Sequence, residues 1–137
     1  MKTLYTIVLI SLLTTSSIAA NLPSSFKEAV ALADKQDKDR DRATRIYERL
    51  DLHDYYQEKD MPVFQSCLTS TLKSTEHPDI SSLSFVVAIG ADGHVLRLYT
   101  DHETSIFACI RPTLQKDQFP RPPFAPYYMH MTMNFSK

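Results

Sequence analysis

The chain has 137 residues, with 15 basic and 16 acidic side chains and a formal net charge of −1. This near-neutral balance offers no basic surface of the kind that binds nucleic acid or an anionic membrane, so the sequence excludes both classes of partner. The length suits one domain with a single core.

Residues 1–20 have the order of a secretory signal peptide. Lys2 supplies a positive start, an apolar run over positions 4–13 follows, and small residues allow cleavage after Ala19 or Ala20. An uncleaved membrane anchor is the alternative, but the apolar run is shorter than the roughly 20 residues that span a bilayer. Cleavage leaves 14 basic residues (15 less Lys2) against 16 acidic ones, a net charge of −2, and removes any membrane anchor.

Residues 21–59 are predicted to form a charged, helical N-terminal extension. Ser25 followed by Glu28 is a capping-box pattern that starts a first helix. Its apolar positions share one helical face and are Phe26, Ala29, Val30 and Ala33. A second short helix carries the apolar stripe Ile46, Tyr47 and Leu50. The many charges of this segment indicate either solvated helices or a partner surface of mixed charge.

Residues 60–137 are predicted to form an α-β-β-α-β domain. Asp60 can cap a helix that continues past Pro62, which is tolerated in a first turn. Two aliphatic strands then flank Asp92-Gly93, a favoured hairpin turn because glycine tolerates positive φ. A further helix carries Pro112, which predicts a kink there or an end two residues earlier.

The two cysteines, Cys67 and Cys109, both lie beyond the signal peptide. An even count in an exported chain predicts one disulfide, whereas two buried free thiols are the alternative. For Cys109, a structural disulfide is also a better interpretation than a catalytic nucleophile paired with the nearby His102.

The C-terminal stretch "FPRPPFAPYYMHMTMNF" divides into a connector and a strand. Its prolines predict an extended connector, and the rest alternates as a half-buried strand does. One face of that strand would carry Tyr127, Met129, Met131, Met133 and Phe135, and the other Tyr128, His130, Thr132 and Asn134. The sequence therefore predicts an α+β fold, in which a hairpin and a C-terminal strand form a three-stranded antiparallel sheet with helices on one face.

Five short stretches of this chain resemble the C-terminal domains of TolA and TonB, bacterial envelope energy transducers. They are the strand "FVVAI", the turn "ADGHV", the helix of Cys109, the connector "FPRPP" and the strand "YYMHMTMNF", within about residues 60–135. The resemblance implies a periplasmic location and a module that docks other proteins, often by adding a strand at a sheet edge. The cleavable leader and the lack of a long linker set the chain apart from the transducers themselves.

The sequence favours a binding protein over an enzyme or a metal protein. It contains no nucleophile-elbow, phosphate-loop or dinucleotide-binding pattern, and no cofactor is expected. "MHMTM" could hold Cu(I) through Met129, Met131, Met133 and His130, with His94 as a further ligand. On a strand, however, the three methionines would face the core and His130 the opposite side, which favours core methionine.

We therefore expect a non-enzymatic, periplasmic protein-binding module. An immunity protein that neutralises a toxin by direct binding is the favoured function, because small disulfide-bonded exported domains without catalytic motifs often serve that purpose. An envelope adaptor of the TolA or TonB type and a copper-binding protein are the alternatives. The expected contact surface is the sheet edge with the outward residues Arg97, Tyr99, Tyr128 and His130.

Overall fold

The computed structural model describes residues 21–74, 76 and 80–135, which form helices and one antiparallel sheet. The predicted signal peptide, residues 1–20, lies outside this range. In chain order the elements are α1 (Phe26–Lys38), α2 (Arg42–Ile46), α3 (His53–Tyr55), α4 (Met61–Ser74), β1 (Leu83–Ile89), β2 (Val95–Thr100), α5 (Ser105–Leu114) and β3 (Tyr127–Met133).

The sheet has the strand order β2-β1-β3, and both pairings are antiparallel. β1 is central because its run of apolar residues is buried on both faces, whereas β2 and β3 are half-exposed edge strands. Val86, for example, lies between Tyr99 of β2 and His130 of β3. The α+β prediction, with a hairpin and a C-terminal strand in one antiparallel sheet, is confirmed.

The larger core lies between one face of the sheet and the helices α4 and α5. Phe85 stacks on Phe64 of α4 with ring centroids 6.0 Å apart, and it contacts Phe107 of α5 at 5.5 Å. The predicted disulfide between Cys67 and Cys109 joins these two helices to each other. The predicted core face of β3 is confirmed, since Tyr127 and Met129 are buried and the following alternate residues pack against the same core.

Helix α1 covers the opposite face of the sheet, so the prediction of helices on one face is wrong. Its apolar stripe is the predicted one, with Ala29 and Ala33 fully packed on Val86 and the neighbouring strands. Ser25 caps the helix by accepting a hydrogen bond from the Glu28 amide at 3.2 Å. The small alanines let α1 approach the sheet closely, and the result is three layers, with the sheet in the middle.

Residues 42–74 form one long helical stretch, in which two π-helical segments, Tyr47–Leu52 and Tyr56–Asp60, separate α2, α3 and α4. The expected boundary between residues 59 and 60 falls inside it. Asp60 is therefore not an N-cap: its side chain is buried, with 1% exposed. The reason is that buried positions continue through this region, from Leu52 to Phe64, so packing overrides the local start signal.

Helix α5 continues past Pro112 to Leu114, whereas the sequence predicts a kink or an end near Ile110. Pro112 is close to the C-terminal end, where the helix has little further to run. Ile106, Phe107, Ile110 and Leu114 are all buried, and this apolar face keeps the last turn in place despite the hydrogen bond that proline removes.

Gly93 is the position in the hairpin turn that only glycine can occupy without strain. Its φ is +90°, and a Cβ atom there would lie 2.0 Å from the Phe119 carbonyl oxygen. We expect Gly93→Ala to lower the free energy of unfolding by at least about 2 kcal/mol, because positive φ and the backbone contact are both unfavourable. Urea denaturation measures the change.

Gly90, at the other end of the same turn, provides the matched control. The atoms nearest to a Cβ atom there are side-chain atoms of Asp92 and Leu96, at 3.2 Å, and both side chains can shift. Gly90→Ala is therefore expected to cost much less than Gly93→Ala. Equal effects of the two substitutions would contradict the assigned role of Gly93.

Candidate functional site

The outer edge of β3 is partly closed by a side chain from α1. The amide of Gln36 accepts a hydrogen bond from the Tyr128 amide at 2.9 Å and donates one to the Tyr128 carbonyl at 3.2 Å. Both main-chain groups of Tyr128 thus point away from β1. Because this direction alternates along an antiparallel edge strand, the main-chain groups of His130 and Thr132 point outward as well.

Beyond Tyr128 this edge is open. In the part of the chain that the structure describes, no group forms a hydrogen bond with the outward main-chain atoms of His130 or Thr132. Their side chains are exposed, and Asn134 continues the same row. An edge with free N–H and C=O groups at every second residue is a template for another extended chain.

An apolar groove of about 290 Å³ lies beside the open edge, on the core side of the sheet. On the strand side it is bounded by Met133 and Phe135, which are only partly buried. On the helical side its walls are Tyr56, Met61, Phe64 and Leu68. A chain paired to β3 would direct every second side chain towards this groove, since side chains alternate across a sheet.

The opposite side of the open edge is polar. The Ser84 hydroxyl lies 2.9 Å from His130 Nε2 and 3.3 Å from the Thr132 hydroxyl. The His130 ring also meets the edge of Phe26 at a centroid distance of 6.1 Å. The edge therefore has an apolar side and a polar side, and it would discriminate between the two faces of an incoming strand.

The other edge of the sheet is more protected. β2 contains a β-bulge, with Leu96 as the extra residue between the pairs formed by Arg97 and Val95. At the hairpin end, the Phe119 amide donates to the Gly93 carbonyl at 3.0 Å and Gln118 pairs with His94. Bulges and covering segments are common ways to block edge pairing, so β3 carries the longer open edge.

Two of the four predicted contact residues are not at the surface. Tyr99 and Tyr128 are 6% and 8% exposed, because α1 lies over them. The Tyr99 hydroxyl donates to the Pro23 carbonyl at 2.9 Å, which explains how its polar end is satisfied. The prediction that these two tyrosines face outward is wrong, and its cause is the unexpected position of α1.

The other two predicted contact residues, Arg97 and His130, are exposed but lie on opposite edge strands of the sheet. Arg97 is on β2, with its guanidinium 5.4 Å from the centre of the Tyr99 ring, and His130 is on β3. Helix α1 covers the sheet between them. They do not form one continuous surface, and only His130 lies at the open edge.

The methionines of β3 do not converge with the histidines. Met129, Met131 and Met133 are on the side of the larger core, whereas His130 is on the other face of the sheet. His94 lies at the hairpin turn, 3.1 Å from an Asp92 carboxylate oxygen. Among the described residues, no group of three histidine, cysteine or acidic side chains could hold a metal ion.

Gln36 and the helical residues that line the groove were not predicted as part of a site, and Met133 was predicted only as an alternative copper ligand. Gln36 continues the apolar stripe of α1 by one turn, but as a polar residue it marks the end of that stripe in the sequence. Its partner, Tyr128, is 92 positions away. The groove combines the long helical stretch with the end of β3, so no local pattern could have identified it.

The buried Asp60 and the partly buried Asp117 form an acidic pair next to Tyr55. Burial, followed by the neighbouring Asp117 carboxyl, raises the pKa of Asp60 to about 8. Burial also raises the pKa of Asp117, although contacts with Asp60 and Tyr55 oppose this. Within the described residues, neither side-chain oxygen of Asp60 has a hydrogen-bond partner. The pair is away from the open edge and bears on stability.

Among residues 21–74, 76 and 80–135, no helix has both the length and the apolar character needed to cross a membrane. No protein-family model, curated protein or solved structure matches the chain at a significant level, and the resemblance to the C-terminal domains of TolA and TonB therefore stays a prediction.

Proposed function

We propose that this chain is an exported, non-enzymatic protein-binding module, which receives an extended segment of a partner protein on the open edge of β3. The observation that carries the proposal is the combination of outward main-chain groups at His130 and Thr132 with the apolar groove beside them. Strand addition uses main-chain hydrogen bonds for affinity and adjacent pockets for specificity.

The shape of the site defines the partner segment. Its residues would alternate, with apolar side chains entering the groove near Met133 and polar ones facing His130 and Ser84. The clamp of Gln36 on Tyr128 limits pairing to the C-terminal half of β3, so a segment of about three to five residues is expected.

The favoured biological role is that of an immunity protein, which neutralises a toxin by binding to it directly. The signal-like leader and the disulfide between Cys67 and Cys109 favour the periplasm, where such proteins act. An envelope adaptor of the TolA or TonB type is the alternative, and it would use the same edge. A copper-binding role has less support, because the β3 methionines face the core.

Thr132→Pro tests strand addition directly. Proline removes the outward N–H without breaking the ladder to β1, since that N–H does not point towards β1. We expect the variant, prepared from Asn21 onward, to bind its partner at least about tenfold more weakly than the native chain. The measurement is affinity capture from periplasmic extract, followed by titration of the captured protein.

Thr132→Ala is the matched control, because it loses the hydroxyl contact with Ser84 but keeps the N–H. It should bind nearly as well as the native chain. Circular dichroism establishes that both variants fold. Equal capture by all three chains would exclude the β3 edge. A captured protein whose toxic activity is lost on binding supports the immunity role, and recovery of envelope components supports the adaptor.

A further inference from the structure

The outer face of the long helical stretch is mainly positive in its first part and mainly negative in its second part, where Lys59 is an exposed basic exception. Its first part exposes three arginines, and its second part exposes three acidic residues with the same spacing along the chain. In order they are Arg42, Arg45 and Arg49, then Asp51, Asp54 and Glu58. Within the described residues, none of the six forms an ion pair. Ion pairing within the chain therefore does not explain this segregation.

Apolar side chains are exposed along the same face. Leu50 is 56% exposed and Ile46 is 47% exposed, which is unusual for large aliphatic residues one helical turn apart. Together with the three arginines they line a shallow hollow of about 370 Å³. Exposed apolar residues rimmed by charged ones are characteristic of interaction surfaces.

We propose that this face binds a second copy of the chain, with the two long helical stretches antiparallel. An antiparallel arrangement places the basic part of one copy against the acidic part of the other. Leu50 lies midway between Arg42 and Glu58 in the sequence, so the two copies of Leu50 meet near the two-fold axis. The contact is isologous, as in most homodimers.

A second copy fits this face better than other occupants do. An acidic peptide or an anionic lipid surface would pair with the arginines but would be repelled by Asp51, Asp54 and Glu58. Only a partner with the same segregation, in the opposite direction, satisfies both parts. The chain itself is such a partner.

The contact is expected to be weak and sensitive to salt. Residues 42–58 extend over about 25 Å at 1.5 Å per residue, which is short compared with a standard interface. Exposed charge pairs are screened at high ionic strength. Sedimentation velocity over a concentration series should show a monomer–dimer equilibrium at low salt. At high salt the dissociation constant of the dimer should be at least about tenfold larger.

Two charge-reversed chains make the test specific. One chain, Arg42→Glu with Arg49→Glu, has a face with five acidic residues and, among the six positions, only Arg45 basic. The other, Asp51→Arg with Glu58→Arg, has a face with five basic residues and only Asp54 acidic at these positions. Each alone should remain monomeric at concentrations where the native chain dimerises. Mixed in equal amounts, they should form a heterodimer, because their faces are complementary in both halves.

The control is Lys27→Glu with Lys116→Glu, which changes the net charge as the first variant does but at exposed sites outside this helix. It should dimerise like the native chain. The proposal is overturned if the native chain stays monomeric at every concentration up to about 1 mM, a threshold for very weak association. Dimers that the helix variants leave unchanged, or a mixture that does not associate, overturn it equally.

Discussion

Replacing both Cys67 and Cys109 with alanine is expected to lower the free energy of unfolding by about 4 kcal/mol. The bridge closes a loop of 42 residues, and in the chain-entropy model a loop of this length restricts the unfolded chain by about that amount. The effect would be a large part of the stability of a small domain, which is typically about 5–15 kcal/mol.

The loop that the bridge closes includes most of the sheet. α4 and α5 lie on the same face of the sheet, and β1 and β2 come between them in the chain. Without the bridge, the unfolded chain would have to bring these two helices together unaided. The bond therefore acts mainly on the unfolded state, and the folded structure should change little.

Guanidinium denaturation of the native chain, with and without reductant, separates the stability that the disulfide bond contributes from the stability that the packing of the two cysteine side chains contributes. Reduction keeps both sulfur atoms, and Cys109 is exposed enough for a reductant to reach it. The reduced native chain and the Cys67→Ala, Cys109→Ala variant should have similar unfolding midpoints. If reduction changes the free energy of unfolding by less than about 1 kcal/mol, the bridge is not a major source of stability.

The sequence predicted those elements whose signals are local. The hairpin around Gly93 follows from a turn that requires positive φ, and β3 follows from an alternation that continues from Tyr127 to Phe135. The stripe of α1 was also correctly identified. The position of α1 relative to the sheet was not predicted correctly. Ala29 and Ala33 show which side of the helix is buried, but they do not show which face of the sheet the helix contacts.

The candidate site was predicted only in part, for a related reason. The exposed position of His130 follows from alternation along β3. Whether Tyr99 and Tyr128 are exposed depends on a helix more than 60 residues earlier in the chain, and tyrosine is compatible with either environment. The groove requires the positions of Met61 and Phe135 together, and no single segment contains that information.

Asp60 is the residue for which local signals were most misleading. Its position before Met61 and Pro62 is typical of a helix start, yet it is buried inside a continuous helical stretch. The groups that face it are acidic or phenolic, namely Asp117, Tyr55 and Tyr56. No basic side chain contributes to the shift in its pKa. A neutral Asp60 is therefore favoured in the folded protein.

This arrangement predicts that stability falls as the pH rises from about 4 to about 8. Unfolded aspartate loses its proton near pH 4, whereas the pKa of Asp60 is about 8 in the folded chain. Between these values the folded state holds the additional proton, so the free energy of unfolding decreases with increasing pH. From pH 5 to pH 8 we expect a loss on the order of 3 kcal/mol, measured by urea denaturation at a series of pH values.

Asp60→Asn should remove most of that pH dependence and should stabilise the protein at pH 8 by about 2 kcal/mol, because asparagine is similar in shape to a protonated aspartate and never becomes charged. Asp34→Asn, at an exposed position on α1, is the control and should leave the pH profile as it is in the native chain. A native chain that is as stable at pH 8 as at pH 5, or an Asp60→Asn variant that is destabilised at pH 8, would mean that Asp60 is ionised in the folded state and is stabilised by surroundings other than the acidic pair.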